Sequence, residues 1–122
     1  MCNLRHYFAI KHTKNGRQYP FLDCWGLVCE YYKLEKNITL YPYSELSQDT
    51  MSQGFECEKT RFKEISANEV KNGDVVAFFK DMCLYHVGIY YNDKILQTTS
   101  KHNVTLQKIP SSNNIRYFRY GN

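Results

Sequence analysis

The feature that most restricts how this chain can fold is a change of period near its middle. From Asp74 onward the sequence is written in strands. Asp74-Val75-Val76-Ala77-Phe78-Phe79 follows an Asn72-Gly73 turn, and residues 86–91 and 94–99 flank Asn92-Asp93, a two-residue hairpin signal. Residues 104–109 and 115–120 bring the expected number of strands to about five. Ahead of them stands one well-marked helix over residues 23–36. Asp23 is a good N-cap, Leu27, Val28, Tyr31 and Leu34 form an apolar stripe, and Lys33 and Lys36 suit the C-terminal end. The expectation is an α+β fold, with an N-terminal helix packed on an antiparallel sheet.

The other segments are less constrained. Residues 1–22 read as a short mixed segment ending in the loop 13–17, where Asn15-Gly16 marks a turn. Pro42 and the polar stretch 44–54 suggest a surface loop with one helical turn, and 58–65 a second short helix. With no internal repeat, low-complexity tract or linker, residues 1–122 are expected to form a single domain.

Apolar residues make up 43% and aromatic residues 16% of the chain, which excludes a disordered protein. No apolar run approaches the ~20 residues of a membrane-spanning helix, so no membrane partner is expected. The start, Met1-Cys2-Asn3-Leu4-Arg5-His6, has no apolar stretch of the secretory kind, so no signal peptide and synthesis in the cytoplasm are expected. The net charge of +4 is spread along the chain. Scattered basicity suits a solvated surface or an anionic partner such as a bacterial wall. A basic stripe interleaved with aromatics is missing, so no nucleic-acid partner is expected.

The five cysteines (Cys2, Cys24, Cys29, Cys57 and Cys83) are odd in number and irregular in spacing. No Cys-x-x-Cys pair occurs, so neither a zinc site nor a thioredoxin-like motif is written, and no metal or other cofactor is expected. A disulfide framework does not suit a chain with this much apolar content and no export signal. Cys24 is the distinctive one, because it follows the N-cap directly. Unpaired backbone N–H groups and the helix dipole there favour a thiolate and predict a lowered pKa. Leu27, Val28 and Tyr31 place the thiol on the inward face, and Gly26 permits close approach of a backbone or ligand. The competing reading is a buried structural cysteine.

In His86-Val87-Gly88-Ile89-Tyr90, alternation puts His86, Gly88 and Tyr90 on one face, and Gly88 is expected to leave room above the imidazole. If Asn92-Asp93 closes a two-residue hairpin, Gly88 faces Gln97 and His86 faces Thr99. Gln97 is then the diagonal neighbour of His86 and within reach of its ring. Its amide oxygen would accept the imidazole N–H and set the tautomer, with Thr99 a rival in another register. His102 is expected to face solvent, and a plain polar strand position remains the alternative for Gln97.

Together these elements resemble the NlpC-type family of cell-wall cysteine peptidases. The resemblance rests on Asp23-Cys24-Trp25-Gly26-Leu27-Val28 at the helix start, Asn72-Gly73-Asp74-Val75-Val76-Ala77-Phe78-Phe79, and His86-Val87-Gly88-Ile89-Tyr90, with Gln97 in the place of the family's third polar residue. It covers nearly the whole chain and implies a papain-like fold. It also implies a Cys24 nucleophile, a His86 base and acid, and a Gln97 orienter. The implied substrate is a peptide bond of the peptidoglycan stem, with Asp23 and Trp25 flanking the nucleophile and able to contact the stem peptide. Asp23 as N-cap and Trp25 as core packing are the alternatives.

One departure stands out. The family usually carries a tyrosine about twelve residues before the cysteine that helps line the oxyanion site, and His12 stands there in this chain. The Trp of Asp-Cys-Trp-Gly and the ending Ile115-Arg116-Tyr117-Phe118-Arg119-Tyr120 look more like the bacteriophage tail branch. That branch implies incorporation in a virion tail, with a tail or wall-binding partner protein. Two further readings stay open: an amidase or acyltransferase acting on another acyl group, and an inactive tail-assembly or wall-binding module.

Overall fold

A computed structural model describes residues 3–41 and 60–121. The chain opens with helix α1 (Leu4–Phe8), followed by three two-residue strands, β1 (Lys11–His12), β2 (Arg17–Gln18) and β3 (Phe21–Leu22). These make a small sheet in which β3 lies between β1, its parallel partner, and β2, its antiparallel partner. Helix α2 (Cys24–Lys36) comes next. The remaining strands are β4 (Phe62–Ile65), β5 (Val75–Lys80), β6 (Cys83–Tyr91), β7 (Lys94–Thr99), β8 (Asn103–Lys108) and β9 (Ile115–Tyr120). They form an antiparallel six-stranded sheet ordered β4-β9-β5-β6-β7-β8.

Helix α2 begins where its sequence says it should. The Asp23 carboxylate accepts from the Gly26 amide at 2.9 Å, satisfying one of the donors a helix start leaves open. The helix ends at Asn37, whose left-handed backbone (φ 56°) a short polar side chain tolerates. Cys24, Gly26, Leu27, Val28, Tyr31 and Tyr32 are its buried residues. They join Val75, Ala77, Phe79, Val87, Ile89, Leu96 and Phe118 of the sheet in one core. Each large apolar side chain so buried contributes about 1.5–3 kcal/mol. Leu34, expected in the stripe, is 48% exposed. The buried row turns through Tyr32 instead, so Leu34 points away from the sheet.

The strand entering the core is tied down at its start. Gly73 adopts φ +96°, as the Asn72-Gly73 turn requires. Asp74, 1% exposed, receives a two-pronged bond from Arg119: Nε to Oδ1 at 2.9 Å and Nη2 to Oδ2 at 2.7 Å. The Lys71 amide donates to Oδ2 at 2.7 Å. This buried carboxylate is therefore paired and hydrogen-bonded, as its burial demands.

Three sequence expectations change here. Residues 62–65 form a strand, not part of a second helix. Phe62 pairs with Tyr120 and packs on its ring at 5.2 Å, and Arg116 bonds the Glu64 carboxylate, so partners on β9 override the local pattern. That strand raises the count from about five to six. The mixed segment expected before α2 resolves, within the described residues, into a helix and three short strands around the expected loop. The loop expected at 44–54 lies outside the described residues, as do Cys2 and Cys57. No described helix is long and apolar enough to cross a membrane.

Candidate active site

The small sheet and α2 meet at Gly16 and Gly26. A Cβ on Gly26 would stand 2.5 Å from the Gly16 carbonyl oxygen and 3.1 Å from the Leu22 side chain, so only glycine lets the loop lie this close to the first helical turn. The Gly16 carbonyl accepts from the Asp23 amide at 3.2 Å and from Arg17 Nη1 at 2.9 Å. Arg17 also pairs with the Asp23 carboxylate. The N-cap of the cysteine-bearing helix is thus fixed from the side by β2. Arg17 was not singled out in the sequence, since the pairing requires β2 to fold back onto the helix start.

Cys24 is 5% exposed, and the backbone N–H groups of Val87 and Trp25 are directed at its sulfur. Val87 is the neighbour of His86, and the β6–β7 ladder extends only from Tyr91↔Lys94 to Ile89↔Leu96. The sulfur therefore meets β6 at Val87, where pairing with β7 has ended but pairing with β5 continues. Burial pushes the thiol up to about 12, and the neighbouring Asp23 carboxylate adds to the rise. The Val87 and Trp25 amides and Arg17 oppose it without reversing it. The lowered pKa expected from helix position alone is thus overturned: removing the thiolate from water costs more than the helix start returns.

His86 lies on β6 opposite Phe78 of β5, and the two rings are 5.2 Å apart. Its Nε2 is 2.7 Å from Gln97 Oε1, the contact that the expected hairpin register implied. The register itself holds for every pair that bonds, Ile89↔Leu96, Tyr90↔Ile95 and Tyr91↔Lys94. Burial lowers the His86 pKa; the bond to Gln97 works against this, and electrostatic repulsion from His12 works with it. The Cys24 thiol and the His86 imidazole are therefore both neutral at neutral pH. Thr99, the rival orienter, instead accepts from the His102 amide at 3.3 Å, and His102 is exposed.

The space above Gly88 is not open as expected. A Cβ there would stand 2.6 Å from Ile95 Cδ1 and 2.9 Å from the Leu96 carbonyl oxygen, so the missing side chain admits Ile95. His12 is held on β1 by its amide, which donates to Asn103 Oδ1 at 2.9 Å, and by its Nδ1, 3.2 Å from Thr98 Oγ1. Thr98 directly follows Gln97 on β7. Trp25 is half-buried, and its indole N–H donates to the Tyr41 carbonyl at 3.0 Å. Asp23 is occupied by the cap and by Arg17, so its N-cap role is realised.

Gln107 was also missed. Its Oε1 accepts from Gln97 Nε2 at 3.0 Å across the β7–β8 pair. The register of that hairpin is set by a loop without a strong turn signal. Among the described residues Cys24, Cys29 and Cys83 are reduced and in no disulfide, with Cys83 exposed, and no cluster of three or more His, Cys, Asp or Glu is arranged to hold a metal.

The NlpC/P60 family model matches residues 11–119. No curated protein matches the sequence. Among solved structures, the crystal structure of the NlpC/p60 domain of peptidoglycan hydrolase SagA superposes with a TM-score of 0.62 at 14% identity, covering 86% of this chain and 81% of that one. At that identity the likeness is one of fold: the papain-like arrangement, with a helix against an antiparallel sheet.

Proposed function

The chain belongs to the NlpC/P60 family, and from that premise we propose that residues 1–122 act as one cysteine peptidase domain that cleaves a peptide bond in the peptidoglycan stem. The observation that carries this reading is the buried thiol of Cys24 at a helix start, against the amide next to a histidine whose Nε2 is 2.7 Å from Gln97 Oε1.

In the proposed reaction the Cys24 sulfur attacks the scissile carbonyl carbon while its proton passes to His86. Because both groups start neutral, the proton moves as the carbon–sulfur bond forms, rather than from a pre-formed thiolate–imidazolium pair. The carbonyl oxygen becomes an oxyanion stabilised by the Cys24 backbone N–H, which as a first-turn amide has no partner within the helix. His12 supplies a further donor in the place where the family usually has tyrosine. The tetrahedral intermediate collapses, the carbon–nitrogen bond breaks, and His86 returns the proton to the leaving amine. A water molecule, deprotonated by His86, then cleaves the thioester and restores the thiol. Gln97 orients the imidazole throughout, and Asp23 and Trp25 border the site where the stem peptide lies.

The bond we assign is the one between a γ-linked D-glutamyl residue and the diamino acid that follows it. The Trp25 of the Asp-Cys-Trp-Gly element and the ending at residues 115–120 support placing the domain in a bacteriophage tail, where a tail or wall-binding partner would bring it to the wall.

The test is digestion of purified peptidoglycan by the wild type and by Cys24→Ala, with products identified by mass spectrometry. Fragments cut at the γ-D-glutamyl bond, absent with Cys24→Ala, are expected. Fragments unchanged by Cys24→Ala would overturn the assignment. A second reading, a wall-binding module without turnover, is favoured by the 5% exposure of Cys24 and by its raised pKa. It predicts that the wild type sediments with peptidoglycan and releases no fragment.

A further inference from the structure

An imidazole has two nitrogens, and only one protonation pattern lets His86 receive a proton while bonded to Gln97. His86 Nε2 is 2.7 Å from Gln97 Oε1. A carboxamide oxygen only accepts, so Nε2 carries the hydrogen and Nδ1 keeps its lone pair. That assignment depends on which end of the Gln97 amide faces the ring. Rotated by half a turn, the amide would offer its NH2 group to Nε2. The ring would then accept there and carry its hydrogen on Nδ1, leaving no base.

The other end of the Gln97 amide meets a side chain of the next strand. Gln97 Nε2 donates to Gln107 Oε1 at 3.0 Å. Ile95 pairs with Gln107 and Gln97 with Thr105, so Gln107 is the diagonal neighbour of Gln97 on the same face. Gln97 is 9% exposed, whereas Gln107 is at the surface. The buried amide thus has an imidazole at its oxygen end and an acceptor at its nitrogen end.

We propose that Gln107 is a positioning residue: by accepting from Gln97 Nε2 it holds Gln97 Oε1 toward His86 and so sets the tautomer whose Nδ1 is the proton acceptor. The inference rests on the reading of His86 as the base for Cys24. Gln107 itself touches neither the thiol nor the imidazole. Its side chain acts at one remove, through the direction of a single amide.

Two substitutions at this surface position separate the role from a merely structural one. Glu at 107 only accepts and Lys only donates, so they press the Gln97 amide in opposite directions. Gln107→Glu and Gln107→Lys are compared with wild type in two measurements: kcat and KM on muropeptides released from purified peptidoglycan, and the 15N–1H spectrum of the His86 ring, identified by its loss in His86→Gln. Thermal midpoints near wild type confirm that both variants fold.

The expected result is a kcat for Gln107→Glu close to wild type with the hydrogen on Nε2. For Gln107→Lys it is a loss of at least about tenfold in kcat, with KM little changed and the hydrogen shifted to Nδ1; complete loss of the base would cost about 10²–10⁴-fold. Equal kcat values and an unchanged Nε2–H tautomer in both variants would overturn the proposal. If the wild type cleaves no muropeptide, the peptidase reading falls and the ring spectra alone decide: Nδ1–H in Gln107→Lys supports the role of Gln107, and Nε2–H refutes it.

Discussion

Replacing Gly26 by alanine sets two physical effects against each other. On propensity alone, alanine in a helix is worth about 0.5–1 kcal/mol over glycine. Here the added Cβ would lie 2.5 Å from the Gly16 carbonyl oxygen, a backbone atom that cannot rotate away, and 3.1 Å from Leu22. Forcing such a contact costs about 1–3 kcal/mol. The same carbonyl holds the Asp23 amide and Arg17 Nη1, at 3.2 and 2.9 Å. Weakening those bonds adds about 0.5–1.5 kcal/mol each. The steric side wins, and Gly26→Ala is expected to destabilise the protein by about 1–5 kcal/mol. For a chain of this size that lowers the thermal midpoint by roughly 4–20 °C. The assay is thermal and urea unfolding of Gly26→Ala beside Lys33→Ala, an exposed site on the same helix expected to stay within about 0.5 kcal/mol of wild type. A Gly26→Ala midpoint equal to or above wild type would refute the account of how the loop seats the helix start.

Further predictions concern the site itself. Gln97→Leu keeps the bulk but removes both amide bonds; kcat on muropeptides is expected to fall about 10–100-fold with the fold intact by circular dichroism, and an undiminished kcat would remove Gln97 from the mechanism. Burial holds His86 below the ordinary histidine value of about 6.5, so its neutral, proton-accepting form persists into mildly acid solution. Activity should therefore be lost as pH falls through that depressed value, and a pH–rate profile whose acid limb lies above about 6.5 would contradict it. With Cys24 buried and its thiol pushed up to about 12, iodoacetamide at neutral pH should label exposed Cys83 before Cys24, as read by peptide mapping. Preferential labelling of Cys24 would show that it exists as a thiolate.

What could be read from the sequence was whatever local chemistry decides. Asp23 caps α2 because a carboxylate can reach its own first turn, and Asn92-Asp93 sets a hairpin whose register carries Gln97 to His86. Both need only a few consecutive residues and a fixed geometry. Strand β4 was hidden because its four residues show no alternation, with burial half, exposed, exposed, half; its pairing is dictated by β9, more than fifty residues away. Strands β1, β2 and β3, at two residues each, are too short to show any period. The direction of the Cys24 shift was misjudged for a related reason. Helix position is local, but loss of water around the sulfur comes from packing that only the whole fold creates. Gly88 misled in the same way: the space it leaves belongs to Ile95 from the neighbouring strand.

The central claim is that Cys24 forms a covalent bond to the stem peptide during turnover. The most direct measurement is acid quenching of the protein during digestion of muropeptides, followed by peptide mapping by mass spectrometry. The account predicts a thioester on the peptide containing Cys24, with the mass of the acyl half of the cleaved stem, and neither adduct nor cleavage with Cys24→Ala. An acyl adduct on another residue, or cleavage that survives Cys24→Ala, would contradict it.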